Sequence, residues 1–446
     1  MATSNGIITL RRHDLDNLRT FLTGLVVVHH TSCCYGGPGD GPYASPLAAT
    51  ASSAATAPLL YLNAFDQSFF MGLFFWISGR VSAQSLRRAD ATSRTRWGFV
   101  RSKLLRLGLP SVAYTLVVHP AVLVAALPRW TLPLVRRRLA DYFATVNGVK
   151  GPVWYTANLL LLDLAAALTV PNQARRSSSC GAGESAKEQQ PTDRAAPRRL
   201  PFWYDVARRW GWVGVAAASF LVRLRYPVGA TIKPIALQPC YAAQYIFAYA
   251  MGFASLGLEP TFTGPFAPDP APADSVPSAA GRRLITASLV SLASLPLIWL
   301  LRRLLTSGAY SAPHAPQGIE MASVLGGWNL FALLHAVWNE ASFVLVGPAL
   351  MAYFEASHGA AATSALFQAK DSYGAFLLHM AVSVLVEKAL DALLMSRPFG
   401  ALVSCAAWRA SGMVVMTGIA GALNVVGSFA TAKFLLSKLP VLRRIV

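Results

Sequence analysis

Charge is what this chain has least of. Of its 446 residues only 13% are charged, while 54% are hydrophobic. Soluble domains average roughly 25% charged residues, so this composition excludes an ordinary soluble domain. With apolar stretches near 20 residues it predicts an integral membrane protein. Acidic residues are scarcer than basic ones, 20 Asp and Glu against 39 Lys and Arg, for a net charge of +19. The excess does not point to nucleic acid. The basic residues gather between apolar segments, as the positive-inside rule expects, and no surface of interleaved basic and aromatic residues is present. The five cysteines (Cys33, Cys34, Cys180, Cys240 and Cys405) are odd in number and lack CxxC or Cys/His ligand spacing. That argues against a disulfide framework and a zinc site, and no metal is expected. No GxSxG elbow, P-loop or HExxH stands in a supporting context. No internal repeat is visible, so the repeat logic of many transporters finds no support. A cleavable leader is not expected, because the apolar core begins only near residue 20.

What is there is a series of ten apolar segments, at about 17–36, 62–85, 104–127, 153–170, 208–224, 236–257, 284–304, 328–354, 372–394 and 408–437. They predict an all-α polytopic bundle of about ten transmembrane helices in one domain spanning 1–446, with polar or Pro-rich loops at 171–203 and 258–281. The connector 37–58 has no Lys or Arg, whereas the next holds Arg87, Arg88, Arg94, Arg96, Arg101, Lys103 and Arg106. That contrast places the N-terminus and the basic segment in the cytosol. The tail carries Lys433, Lys438, Arg443 and Arg444, which places the C-terminus there too. Arg136, Arg137 and Arg138 then fall on the far side, where an amphipathic interfacial segment would accommodate them.

Residues 14–35, DLDNLRTFLTGLVVVHHTSCCY, begin charged, turn apolar and end on two histidines. In a helix, Arg19 and His30 lie eleven residues and about 16 Å apart on one face. His29 points roughly 100° away from His30. An ionisable residue inside a span is a functional candidate. The other reading is an anchor helix with packed histidines. Arg19 likewise has two readings, as an interfacial anchor or as a planar fork for anionic oxygens.

LDNLR, the apolar run, and ten residues between Arg19 and His30 resemble the first helix of the acyltransferase-3 family. Those polytopic membrane proteins move acyl groups onto acceptor hydroxyls. FFWISGRVSAQSL is similar to the family's aromatic run before Ser-Gly, here Ser78 and Gly79, with Arg80 where an aromatic residue is more usual. FVRSKLLRLGLP resembles its paired arginines three apart, with Lys103 in the first position and Arg106 in the second. Lys103 keeps the charge without bidentate geometry. GPVWYTANLLLLD resembles its Gly-Pro-x-Trp-aromatic helix entry at Trp154. Glu340, in HAVWNE, and Tyr373 and His379, in SYGAFLLHMAV, match softer parts of the pattern.

The resemblance implies a membrane O-acyltransferase. It would move an acyl group, acetyl being one candidate, from acyl-coenzyme A to a hydroxyl of a lipid, sugar or secondary metabolite. Acyl-coenzyme A would be a co-substrate and no cofactor would be bound. His30 would be the general base, since imidazole titrates near neutrality. Arg19 would act with it, and Lys103, Arg106, Trp154, Glu340, Tyr373 and His379 would contact substrates. The alternative is a polytopic transporter or flippase whose polar residues line a path without covalent chemistry.

Overall fold

The computed structural model describes residues 12–39, 41–91, 96–170, 201–256, 276–306, 324–360 and 364–438. Eleven long helices carry the described chain: α1 (His13–Cys34), α2 (Ser53–Ala91), α3 (Arg96–Ala125), α4 (Leu132–Thr145), α5 (Trp154–Thr169), α6 (Phe202–Arg223), α7 (Pro239–Ala254), α8 (Val276–Thr306), α9 (Leu330–Ser357), α10 (Ala369–Leu394) and α11 (Ala406–Lys438). No strand occurs among the described residues, only an isolated bridge between Ile232 and Leu237. Each of the ten apolar segments falls on a helix, and α4 is the additional one.

Among the described residues, five helices are long and apolar enough to cross a bilayer: Arg96–Ala125, Gly151–Thr169, Pro277–Arg302, Leu330–Ser357 and Ala406–Lys438. α1 is less apolar because its interior carries Thr20, Thr23, Thr31, His29 and His30. Residues 171–200 of the first expected loop and 257–275 lie outside the described residues, as do Arg443 and Arg444 and, within the first loop, Cys180; Phe202 and Trp203, expected at the end of that loop, open α6. Residues 276–281, expected in the second loop, form the first turns of α8.

α1 is enclosed by α2, α10 and α11, and α7 packs along α2. Glycine sets the second contact. A Cβ on Gly79 would lie 2.1 Å from the Tyr249 carbonyl oxygen, and one on Gly252 would lie 2.0 Å from that of Trp76. The backbones of α2 and α7 therefore approach as closely as small-residue helix pairs allow. Arg80 donates to the carbonyl and the hydroxyl of Ser255, each at 3.0 Å, just past the end of α7. A cation there suits the unpaired carbonyls of a helix C-terminus, which accounts for an arginine in this position.

α3 is wound irregularly. Two π-type turns, Leu104–Gly108 and Tyr114–Val118, interrupt it. In each, a backbone carbonyl receives a tyrosine hydroxyl from another helix. Tyr373 of α10 donates to Arg106 at 3.0 Å, and Tyr142 of α4 donates to Thr115 at 2.6 Å. Widened turns free carbonyls from the helical ladder and recur near functional sites. The second contact holds α4 against α3 while Arg136, Arg137 and Arg138 stay exposed, the arrangement of a surface-lying amphipathic segment.

At the opposite end of the bundle from Arg19, Glu387, Lys388 and Asp391 of α10 take partners on other elements, not one another. Lys388 donates to the carbonyls of Ala125 and Leu127, both at 2.6 Å, and lies over the Trp130 ring. These carbonyls close α3, so the ammonium sits at a helix C-terminus. Glu387 accepts from Asn424 at 3.1 Å, and Asp391 accepts from Tyr43 at 2.8 Å. Burial and then that contact push the Tyr43 phenol above its ordinary value.

Candidate active site

A cavity of about 810 Å³ opens between the first turns of α1, α3 and α10, the last turns of α2, and α5. Its walls carry four cations: Arg19, Arg88, Lys103 and Arg106. Hydroxyls from Thr23, Ser78, Ser82, Ser85, Ser102, Ser372, Tyr155 and Tyr373 line it as well. The helix register explains the set. On α2, Ser78, Ser82 and Ser85 recur at the i, i+4, i+7 spacing of one face, with Arg88 three residues on. On α1, Arg19 and Thr23 are one turn apart.

Each cation is held differently. The Arg19 guanidinium donates to the Ala369 carbonyl at 2.9 Å and lies 3.4 Å from an Asp16 oxygen, with 37% of the side chain exposed. Asp16 thus orients it, while Asn17 ties α1 to the carbonyls of His358 and Ala360. Lys103 is 2.9 Å from Asp163 and donates to Ser82 at 2.8 Å. Tyr249 donates to the other Asp163 oxygen at 2.6 Å. Asp163, fully buried in an apolar run, thereby finds the partner its position demands. One ammonium proton of Lys103 is thus given to Ser82 while its charge is paired with Asp163. Arg106 sits in the first π-type turn of α3, and both it and Arg88 are exposed.

The inner end of the cavity is aromatic. Phe74, Tyr155 and Phe376 meet there, with ring centroids 5.7–6.2 Å apart. Ser78 and Tyr155 share a hydroxyl contact of 2.7 Å. His30 and His379 lie beyond this ring and do not line the cavity. Their centroids are 5.1 Å apart, and Phe376 touches the His379 ring at 6.0 Å. His379 is wholly buried and His30 is half-buried. His29 turns the other way, against Phe70 and toward Asp66, whose carboxylate is 3.9 Å from its ring nitrogen.

The structure thus gathers Arg19, Lys103, Arg106 and Tyr373 around one cavity and sets His30 with His379 behind its inner end. It does not bring Trp154 or Glu340 there. Trp154 packs on Tyr245, while its neighbour Tyr155 faces the cavity. Glu340 is buried between helices, accepting from Gln244 at 3.0 Å and Asn339 at 2.9 Å. Gln244 also donates to the Ser68 carbonyl, so this cluster ties α2, α7 and α9 together. His335 instead faces the buried Arg223, with 2.5 Å between their nitrogens. Arg88, Tyr155, Ser82 and Ser85 are lining residues that the sequence did not single out for the site, and Ser78 was noted only in the Ser-Gly pair, although the 3.6-residue period of α2 would have placed the three serines together.

No group of three or more His, Cys, Asp or Glu side chains suited to a metal occurs among the described residues. Comparison with curated proteins and with solved structures gives no match. The acyltransferase domain that defines the acyltransferase-3 family matches residues 12–433, nearly the whole chain. Arg19, His30 and the cavity between them all fall within that match, and the chain belongs to this family of membrane acyltransferases.

Proposed function

We propose that the protein transfers an acyl group, acetyl in the simplest case, from cytosolic acyl-coenzyme A to a hydroxyl of a lipid, sugar or secondary metabolite. The observation that carries this reading is the arrangement along α1. One face presents Arg19 at a cation-lined cavity, then Thr23 on its wall, then His30 beyond its aromatic end. Arg19, Arg88, Lys103 and Arg106 suit the phosphates of the donor, arginine by its planar fork and lysine as a point charge. The aromatic and aliphatic inner walls suit the slimmer, less charged arm that ends in the thioester.

The chemistry is a proton-coupled acyl transfer. His30 takes the proton of the acceptor hydroxyl as the oxygen attacks the thioester carbonyl. The tetrahedral adduct collapses, the carbon–sulfur bond breaks, and the proton on His30 passes to the departing thiolate. Ester and coenzyme A thiol are the products, and His30 returns to its starting state. In this reading ten helices cross the bilayer with both termini cytosolic. The support is that the cavity mouth lies where the last turns of α2, with Arg87 and Arg88, meet the first turns of α3, with Arg96, Arg101, Lys103 and Arg106.

The test is turnover of acetyl-coenzyme A by detergent-purified protein, with a cell extract as the acceptor pool. The expected result is release of coenzyme A together with an acylated product. Folded protein that releases no coenzyme A from any acyl donor, but moves a solute across vesicles, would replace this reading with a transporter.

A further inference from the structure

The two histidines behind the cavity are not equivalent. The Nδ1 of His379 lies 2.6 Å from the carbonyl oxygen of Phe376, one turn back on α10. A carbonyl only accepts, so this nitrogen carries the proton and Nε2 keeps a bare lone pair. That Nε2 is buried, with no hydrogen-bond partner among the described residues. Leaving a buried acceptor unmet is costly, so the site calls for a donor.

The ring placed to supply one is His30. The two planes are inclined by 32°, with centroids 5.1 Å apart. Two imidazoles joined edge to edge through an N–H···N bond of about 3 Å have centroids about 5 Å apart. The spacing therefore already suits such a bond, and the soft side-chain torsion of histidine supplies the remaining rotation. The Nδ1 of His30 is also buried without a partner among the described residues. His29, its neighbour in sequence, is turned toward Asp66.

We propose that His379 is a positioning residue for His30. Its Nε2 accepts the ring N–H of His30, so that the opposite His30 nitrogen presents a lone pair to the acceptor hydroxyl. The chain runs from the Phe376 carbonyl through His379 and His30 to the substrate. Protonation of His30 strengthens the middle bond, because the donor is then charged. When the thiolate leaves it takes that proton, and His379 ends unchanged. This inference rests on His30 being the base.

The experiment compares wild type, His379→Leu and His379→Gln, each purified in detergent and assayed with acetyl-coenzyme A, alongside nitrogen-15 spectra of histidine-labelled protein. The expected kinetic result is a fall in kcat of about 10²-fold for His379→Leu, as for loss of an orienting partner, with the donor KM within about twofold. His379→Gln, whose amide oxygen can accept the His30 N–H, should recover about tenfold of that loss. The expected spectrum shows His379 as the Nδ1–H tautomer, with His30 in one tautomer in wild type and in a mixture in His379→Leu. An Nε2–H tautomer at His379 in wild type would overturn the proposal, even if the variants failed to fold. So would wild-type turnover by His379→Leu. A loss as complete as that of His30→Ala, without recovery in His379→Gln, would make His379 itself the base. An active His30→Ala would remove the general-base reading and this one together. An inactive His30→Ala with a silent His379→Leu would remove this one alone.

Discussion

The mouth of the cavity and the histidine pair behind it handle polarity in opposite ways. At the mouth, charges are numerous and close to water. Arg88 and Arg106 are exposed, Arg19 is partly so, and Lys103 is neutralised by Asp163 with Ser82 and Tyr249 around it. Behind Phe74, Tyr155 and Phe376 there are two imidazoles, one carbonyl anchor and no ion pair to either ring among the described residues. The first region is built to hold fixed charge, which needs solvent or counter-charge nearby. The second is built around groups that can be neutral, which is what a membrane interior tolerates and what proton transfer needs. On the proposed reading, binding and proton transfer are separated along about 16 Å of α1.

That comparison predicts that the two regions fail differently. Arg19→Gln should weaken donor binding by about 10–100-fold, the scale of one charged hydrogen-bonding contact, with kcat little changed. Isothermal titration with coenzyme A against steady-state kinetics would show it, and a loss confined to kcat would erase the distinction. Asp163→Asn should act at the same end but more weakly. It releases Lys103 from its carboxylate, and we expect donor KM to rise by about tenfold as the ammonium loses its fixed position. A titration of donor concentration in the variant checks this, and an unchanged KM would mean that Lys103 does not touch the donor. Glu340→Gln should do least. The amide keeps one acceptor for Gln244 or Asn339 and gives up the other, so stability should fall by about 1–2 kcal/mol while turnover stays within about twofold. Turnover and thermal unfolding in detergent would test it, and a large loss of turnover with stability intact would bring Glu340 into the chemistry.

Much of this was legible in the chain because helices convert spacing into direction. Arg19 and His30 eleven residues apart predicted one face, and Thr23 between them now shows where that face points. An aspartate in an apolar run demands a partner or a proton, and for Asp163 the partner is Lys103. A small residue in an aromatic run lets two backbones approach closely, and the Tyr249 carbonyl is what Gly79 approaches. What the spacing could not show is which helices face one another. Glu387, Lys388 and Asp391 are near neighbours along α10, whereas their partners lie on α11, on the connector after α1 and at the end of α3. Trp154 was singled out in place of Tyr155 for a similar reason. Both are aromatic at a helix entry, and only the packing of α5 decides which one turns inward.

The central claim is that donor binding resides at the cations and proton transfer at His30. The most direct measurement takes His30→Ala in detergent and determines, on the same preparation, coenzyme A affinity and release of coenzyme A from acetyl-coenzyme A with acceptor present. The account predicts affinity within about twofold of wild type and turnover lowered by about 10²–10⁴-fold, the range for a lost general base. Turnover at the wild-type rate, or loss of donor binding in step with turnover, would contradict it.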